Sequence, residues 1–160
     1  MDDQTFMLEA LELAHRAGTL GEVPVGALVV RHGRVVGRGY NRRESDRDPS
    51  AHAEMIAIRQ AAVRLDSWRL IGCTLFVTLE PCAMCAGGLV NSRVERLVYG
   101  ATDPKAGFCE SLGDLVRDPR LNHRLEVASG VLAAESSRML KKFFSELRGF
   151  PRGPRPGTIA

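Results

Sequence analysis

Two short runs constrain this chain more than anything else in it: His52-Ala53-Glu54 and Pro81-Cys82-Ala83-Met84-Cys85. Cys82 and Cys85 are three apart, so on a helix both project from one face, and Pro81 suits the start of that helix. In a first turn the free backbone N–H groups and the positive end of the dipole favour thiolate over thiol. His52 and Glu54 are expected to open a helix of their own. Two thiolates and one imidazole are three ligands that suit zinc, and a tetrahedral zinc with three protein ligands keeps a fourth position for water. Glu54 is too close in sequence to His52 for an easy second ligand role, but well placed to handle a proton of that water. A closed structural site offers four ligands. This set offers three, and an open zinc beside a carboxylate is a hydrolytic centre. The fold must then bring two helix N-termini to one edge of a sheet, where open α/β sheets place their active sites.

The hydrophobic pattern supplies such a sheet. An amphipathic helix is predicted from Thr5 to about Thr19, carrying Phe6, Leu8, Leu11, Leu13 and Ala14. Pro24 to Val30 and Arg34 to Tyr40 read as strands joined by a hairpin turn at Arg31-His32-Gly33. A polar loop, 41–50, leads to a helix from His52 to about Leu65. Cys73 to Leu79 (CTLFVTL) is apolar on both faces and is expected at the centre of the sheet. The cysteine-bearing helix follows from Cys82 to about Asn91, then a strand from Val94 to Tyr99 and a loop over 102–113. A short helix is predicted at Leu112 to Val116, a short strand at Leu125 to Ala128, and a last helix from Val131 to about Leu147. Strands alternating with helices after an opening hairpin give an α/β fold of three layers, α/β/α, around a central mixed sheet of about five strands. Residues 1–148 make one domain. Residues 149–160, with three prolines and three glycines, are expected to be a disordered tail.

At 160 residues, 44% hydrophobic and 26% charged, the chain is long and apolar enough to bury a core without staples. No segment approaches the ~20 apolar residues of a membrane span. The acidic start runs straight into a helical pattern, unlike an export signal. Four cysteines without such a signal read as reduced thiols in the cytoplasm. Cys73 and Cys109 are expected to be buried or idle. The net charge of +3 is too small to argue for nucleic acid, but between Arg138 and Arg155 six basic residues face one acid, Glu146. Such a cluster is either a solvated helix face or a footprint for RNA.

The H-x-E and P-C-x-x-C runs resemble the signature of the zinc-dependent nucleobase deaminases. The likeness extends to Glu22-Val23-Pro24-Val25-Gly26-Ala27, Gly39-Tyr40-Asn41-Arg42, Thr78-Leu79-Glu80, Tyr99-Gly100-Ala101-Thr102-Asp103-Pro104-Lys105, Leu121-Asn122-His123-Arg124 and Lys142-Phe143-Phe144. Together these resemble the bacterial tRNA-specific adenosine deaminases over roughly residues 5 to 148. The resemblance implies a cytidine-deaminase-like fold and conversion of adenosine to inosine at the wobble position (position 34) of tRNA anticodons. It implies one Zn²⁺ per subunit held by His52, Cys82 and Cys85, with Glu54 as the catalytic proton shuttle. It also implies substrate contacts: Asn41 to the base, Val23, Pro24, Ala53 and Leu79 as pocket walls, Asp103 near the ribose, and Phe144 or Phe143 near a flanking nucleotide. The implied partners are a tRNA anticodon stem-loop and a second copy of the chain in a cytoplasmic homodimer.

Several of these residues have plainer readings. Asn41 also fits a strand-ending turn, and Asp103 before Pro104 an ordinary loop start. Phe143 and Phe144 lie on an apolar stripe that places at least one of them in the core. Asn91 stands where several relatives carry histidine, and Phe108-Cys109-Glu110 replaces smaller residues. Two rival functions share the zinc machinery: a free guanine or cytosine deaminase, and a non-catalytic zinc-binding subunit of an editing heterodimer. The basic end of the last helix argues against the first, and Glu54 against the second.

Overall fold

The computed structural model of the protein describes residues 2–149; the remainder of the expected tail, with Arg152 and Arg155, lies outside them. In chain order the elements are α1 (Asp3–Thr19), β1 (Gly26–Arg31), β2 (Arg34–Tyr40), α2 (Ala53–Arg64), β3 (Cys73–Leu79), α3 (Ala83–Asn91), β4 (Arg96–Ala101), β5 (Glu126–Ala128) and α4 (Ala133–Arg148). The Asp2 carboxylate accepts the Thr5 N–H at 2.9 Å and caps α1. The hairpin between β1 and β2 turns at His32 and Gly33, both with positive φ (50° and 72°). That pair is what a two-residue type I′ turn requires.

The five strands form one sheet in the order β2-β1-β3-β4-β5, with β3 at its centre. β1 pairs antiparallel with both β2 and β3, while β3–β4 and β4–β5 are parallel. Because β2 and β3 both oppose β1, they run the same way and end at the same edge. One face of the sheet packs Leu28, Val30, Phe76 and Val98 against Phe6, Met7 and Ala10 of α1, with α4 alongside. The other packs Val29, Leu75, Val77 and Leu97 against Ala57, Ile58 and Ala61 of α2 and Ala86, Leu89 and Val90 of α3. This is the expected α/β/α sandwich on a mixed sheet.

Two expectations need correction. Leu112–Val116 is not helical but irregular, with bends at Leu112 and Leu115 and an isolated bridge between Cys109 and Asp114. Two of its amides reach back along the loop, Leu112 N–H to Gly107 O at 2.9 Å and Leu115 N–H to Phe108 O at 3.0 Å, in place of the i to i−4 bonds of a helix. The strand expected from Val94 starts at Arg96, because Arg93 takes a positive φ of 61° and Val94 N–H closes the preceding turn onto Leu89 O.

The contact that matters most for the site lies between β2 and α2. A Cβ at Gly37 would stand 2.2 Å from the Ala57 carbonyl oxygen, and one at Gly39 2.2 Å from that of Ala53. Strand and helix therefore touch backbone to backbone. Gly39→Ala should force the first turn of α2 off the sheet and lower stability by about 1–3 kcal/mol, as overpacking does. A thermal melt checks this. An unchanged Tm would show that α2 has room to give.

Candidate active site

The two motifs arrive at one edge because β2 and β3 both end there. β2 leads through the loop 41–51 to His52, the N-cap of α2, and β3 leads through Glu80 and Pro81 to Cys82, the N-cap of α3. N-caps favour Ser, Thr, Asp or Asn, whose side chains bond the first-turn amides. Neither His52 nor Cys82 makes such a bond, and both side chains are free to face each other. His52 Nδ1 lies 3.5 Å from Cys82 Sγ and 3.5 Å from Cys85 Sγ, and the three ligand atoms are all within 4.8 Å of one another. Zinc–sulfur bonds of about 2.3 Å and a zinc–nitrogen bond of about 2.0 Å at a tetrahedral angle would separate S and N by about 3.5 Å. The donor set fits zinc in both chemistry and spacing. Two thiolates would also balance the charge of Zn²⁺.

Protons are shared within this trio. The Cys82 thiol is held far below the usual thiol range, first by the hydrogen bond from Cys85, and Cys85 is pushed up in return. His52 is raised, first by its hydrogen bond to Cys82. A divalent cation displaces such protons when it binds.

Beside the trio is a cavity of about 190 Å³, smaller than the roughly 300–1,000 Å³ of sites for drug-sized ligands and suited to a single base. Its wall includes Glu54, which is 4% exposed, and burial pushes this carboxyl above the usual glutamate range. Val23, Asn41, Ala53, Leu79 and Asp103 line the cavity. The Asn41 amide donates to Val23 O at 3.2 Å, and its oxygen accepts Arg43 N–H at 3.1 Å. One donor hydrogen and one lone pair remain for a ligand, so the turn role and a base-reading role coexist.

Other expected contacts fall elsewhere. Pro24 lines a separate groove with Met139, Lys142 and Phe143. Phe144 is 40% exposed and meets Phe143 edge-on at 5.4 Å. Asn91 is exposed at the far end of α3, and Cys73 and Cys109 are buried free thiols.

Four lining residues were not foreseen: Val25, Arg43, Glu80 and Ala106. Glu80 had a signal, a charge closing an otherwise apolar strand. It is 2% exposed, and its carboxylate accepts the N–H groups of Asp103, Cys109, Glu110 and Ser111 at 2.9–3.1 Å. Burial raises its pKa, but the Ser111 side chain and these amides together outweigh burial and hold it below the usual value. A Cβ on Gly107 would lie 2.3 Å from Glu80 Cδ, so the loop closes down on the carboxylate.

A central mixed sheet with a His/Cys/Cys trio and a buried glutamate at one edge defines a zinc-dependent deaminase. The profile of the MafB19-like deaminase family matches residues 1–148. A tRNA-specific adenosine deaminase of Bacillus subtilis is 50% identical over 146 residues, covering 91% of each chain. One from Haemophilus influenzae is 49% identical over 147 residues, covering 91% of this chain and 85% of that one. A solved structure from work on A-to-I editing by tRNA:A34 deaminases at the wobble position superposes with a TM-score of 0.82 at 45% identity, covering 85% of this chain and 99% of the other. A guanine deaminase from Nitrosomonas europaea is more distant, with a TM-score of 0.74 at 27% identity over 89% and 84% of the two chains. The chain belongs to the family of the tRNA-specific adenosine deaminases.

Glu80→Ala should free the loop from Asp103 to Ser111, since hydrogen bonds to a charged group are worth about 1.5–3 kcal/mol each. Hydrogen exchange at those amides reads the effect directly. In the unaltered protein the stabilisation is complete above the ordinary glutamate pKa, about 4.3, and drains away as pH falls from there through the lower folded value. Protection that persisted in the variant would contradict the assignment.

Proposed function

We propose that this protein hydrolyses adenosine to inosine at the wobble position of a tRNA anticodon, with His52, Cys82 and Cys85 holding zinc and Glu54 moving the protons. The observation that carries this reading is the 3.5 Å His–Cys–Cys cluster beside a base-sized cavity with a buried glutamate in its wall. When bound there, zinc lowers the pKa of a coordinated water towards neutrality. Glu54 stands outside the ligand cluster, and the burial that favours its protonated form suits a group that must both take and give protons. It accepts the proton of the attacking water and delivers it to a ring nitrogen of the adenine. The new C–O bond forms at the carbon bearing the amine, and the C–N bond then breaks. A second proton passing through the same carboxylate lets the nitrogen leave as ammonia, so water and adenosine give inosine and ammonia.

The cavity holds one base, which must leave its stack to enter. An anticodon loop presents a base already partly unpaired, which lowers that cost by about a few kcal/mol. Asn41 reads the base edge with its remaining donor and acceptor, while Val23, Ala53 and Leu79 grip the ring. Asp103 stands at the rim, its carboxylate already turned to Lys105 N–H at 3.1 Å, where the ribose would pass. Pro24 and Phe143, with Lys142 in the same groove and Phe144 exposed beyond, offer aromatic and cationic surface to a flanking nucleotide. The same reading gives the protein a second copy of itself as partner and the cytoplasm as its compartment. Among the described residues no helix is long and apolar enough to cross a membrane.

An anticodon stem-loop with adenosine at the wobble position should yield inosine, while free adenosine, adenine, guanine and cytosine should not react. Turnover of a free base without reaction on the stem-loop would replace this reading with a small-molecule deaminase. Glu54→Ala should retain zinc and lose about 10²–10⁴-fold or more in rate. Cys85→Ala should lose zinc and activity together, as metal analysis of the purified variant will show.

A further inference from the structure

The chain leaving β2 separates two hollows. Along Tyr40-Asn41-Arg42-Arg43 the side chains alternate: Asn41 and Arg43 line the base cavity, and Tyr40 and Arg42 line a second, open groove of about 970 Å³. The wall between the two is a single segment of backbone. Five arginines line the groove, namely Arg16, Arg38, Arg42, Arg59 and Arg64, and no carboxylate does. Arg38 and Arg42 pair with Glu9 and Asp46 at 2.8 and 3.0 Å. Arg16, Arg59 and Arg64 have no ion-pair partner among the described residues.

Like charges gathered in one concavity repel and cost the folded state stability. The aliphatic lining comes from Leu13, Ile56 and Val63. The guanidinium groups are nonetheless held in place. Those of Arg16 and Arg42 lie over the Tyr40 ring at 5.9 and 5.4 Å, and Arg42 also donates to the Tyr40 hydroxyl at 2.7 Å. Arg59 donates to Ser50 Oγ at 3.2 Å. Guanidinium is the side-chain group that best matches phosphate oxygens in pairs. The five come from α1, β2, the loop after it and α2, so the positive charge is contributed by four separate segments of the chain. That arrangement fits a polyanion better than a single ion.

We propose that this groove carries the phosphodiester backbone of the substrate RNA on one side of the target nucleotide. The inference rests on the RNA-deaminase reading above and extends it to a second contact surface. A strand whose base enters the cavity would cross the Tyr40–Arg43 segment, and its next phosphates would meet Arg42, then Arg16 and Arg59, with Arg64 farther along α2.

The test uses the full-length protein with Arg16, Arg59 and Arg64 all changed to Gln, and each of Arg59→Gln and Arg64→Gln alone. The probe is the anticodon stem-loop with wobble adenosine. Binding is followed by fluorescence anisotropy across a salt series, and inosine formation gives KM and kcat. The slope of log affinity against log salt should flatten by about 0.7 for each lost contact, hence by about 2 in the triple variant. KM should rise about tenfold near physiological salt, with the loss falling on KM and not on kcat. Unchanged slope and KM, with the wild-type protein still forming inosine, would overturn the groove assignment alone. A wild-type protein that forms no inosine, yet binds the stem-loop with an arginine-dependent salt slope, would overturn the deaminase reading and leave the groove standing. A change in sedimentation with an unchanged salt slope would give this face to a second copy of the chain and overturn its assignment to RNA.

Discussion

Helix α2 rests on strand β2 with no side chain between them, and the geometry of the metal cluster depends on that contact. Gly37 and Gly39 let the backbone of β2 meet the carbonyls of Ala53 and Ala57 directly. Ala61 continues the same small-residue seam one turn further along. Side-chain packing tolerates rotamer changes and small shifts, whereas backbone against backbone leaves little freedom. His52 and Glu54, on the residues that flank Ala53, inherit that precision. A comparable contact holds the opposite face, where a Cβ on Gly26 of β1 would collide with the Ala10 carbonyl of α1 at 2.0 Å. The hairpin is thus clamped between two helices, and its outgoing end delivers Asn41 and Arg43 to the cavity.

Buried glutamates within this edge meet different fates. Glu54 is raised because desolvation dominates and its few partners do not compensate. Glu80 is lowered because donors surround it. Similar groups set apart by their surroundings are the usual way one fold separates proton transfer from electrostatic anchoring. A third buried acid, Glu22, joins the anchoring group by accepting the Glu44 and Ser45 N–H groups at 2.9 Å each. The loops on both sides of the cavity are therefore pinned by carboxylates that are spent on backbone amides.

Much of this was legible in the chain because the relevant forces are local. β2 and β3 match their expected spans to the residue, since one is bounded by a tight turn and a polar loop and the other is greasy throughout. The metal trio was legible because ligand type and spacing are dictated by zinc. What escaped depended on which groups the folded backbone brings together. The absent helix at Leu112–Val116 had an apolar pattern, but its Leu112 and Leu115 amides are claimed by carbonyls earlier in the loop. Pro24 could not be separated from Val23 and Val25 by composition, because an extended segment sends neighbours to opposite sides. Arg43 reads as one more charge in a polar loop until the fold turns it inward.

The Glu80 carboxylate has a consequence for how such an enzyme could change its substrate. It ties Asp103 at the cavity rim to Cys109, Glu110 and Ser111 on the far limb of the same loop, and Gly107 must remain bare to let it sit there. The rim is not a removable cassette. A loop grafted from a relative would dock only if it offered amides at the same spacing and a glycine at the same place. Diversification at this edge is therefore confined to positions that the carboxylate does not touch, such as Lys105 and Ala106, whose side chains can vary while the frame beneath them stays fixed.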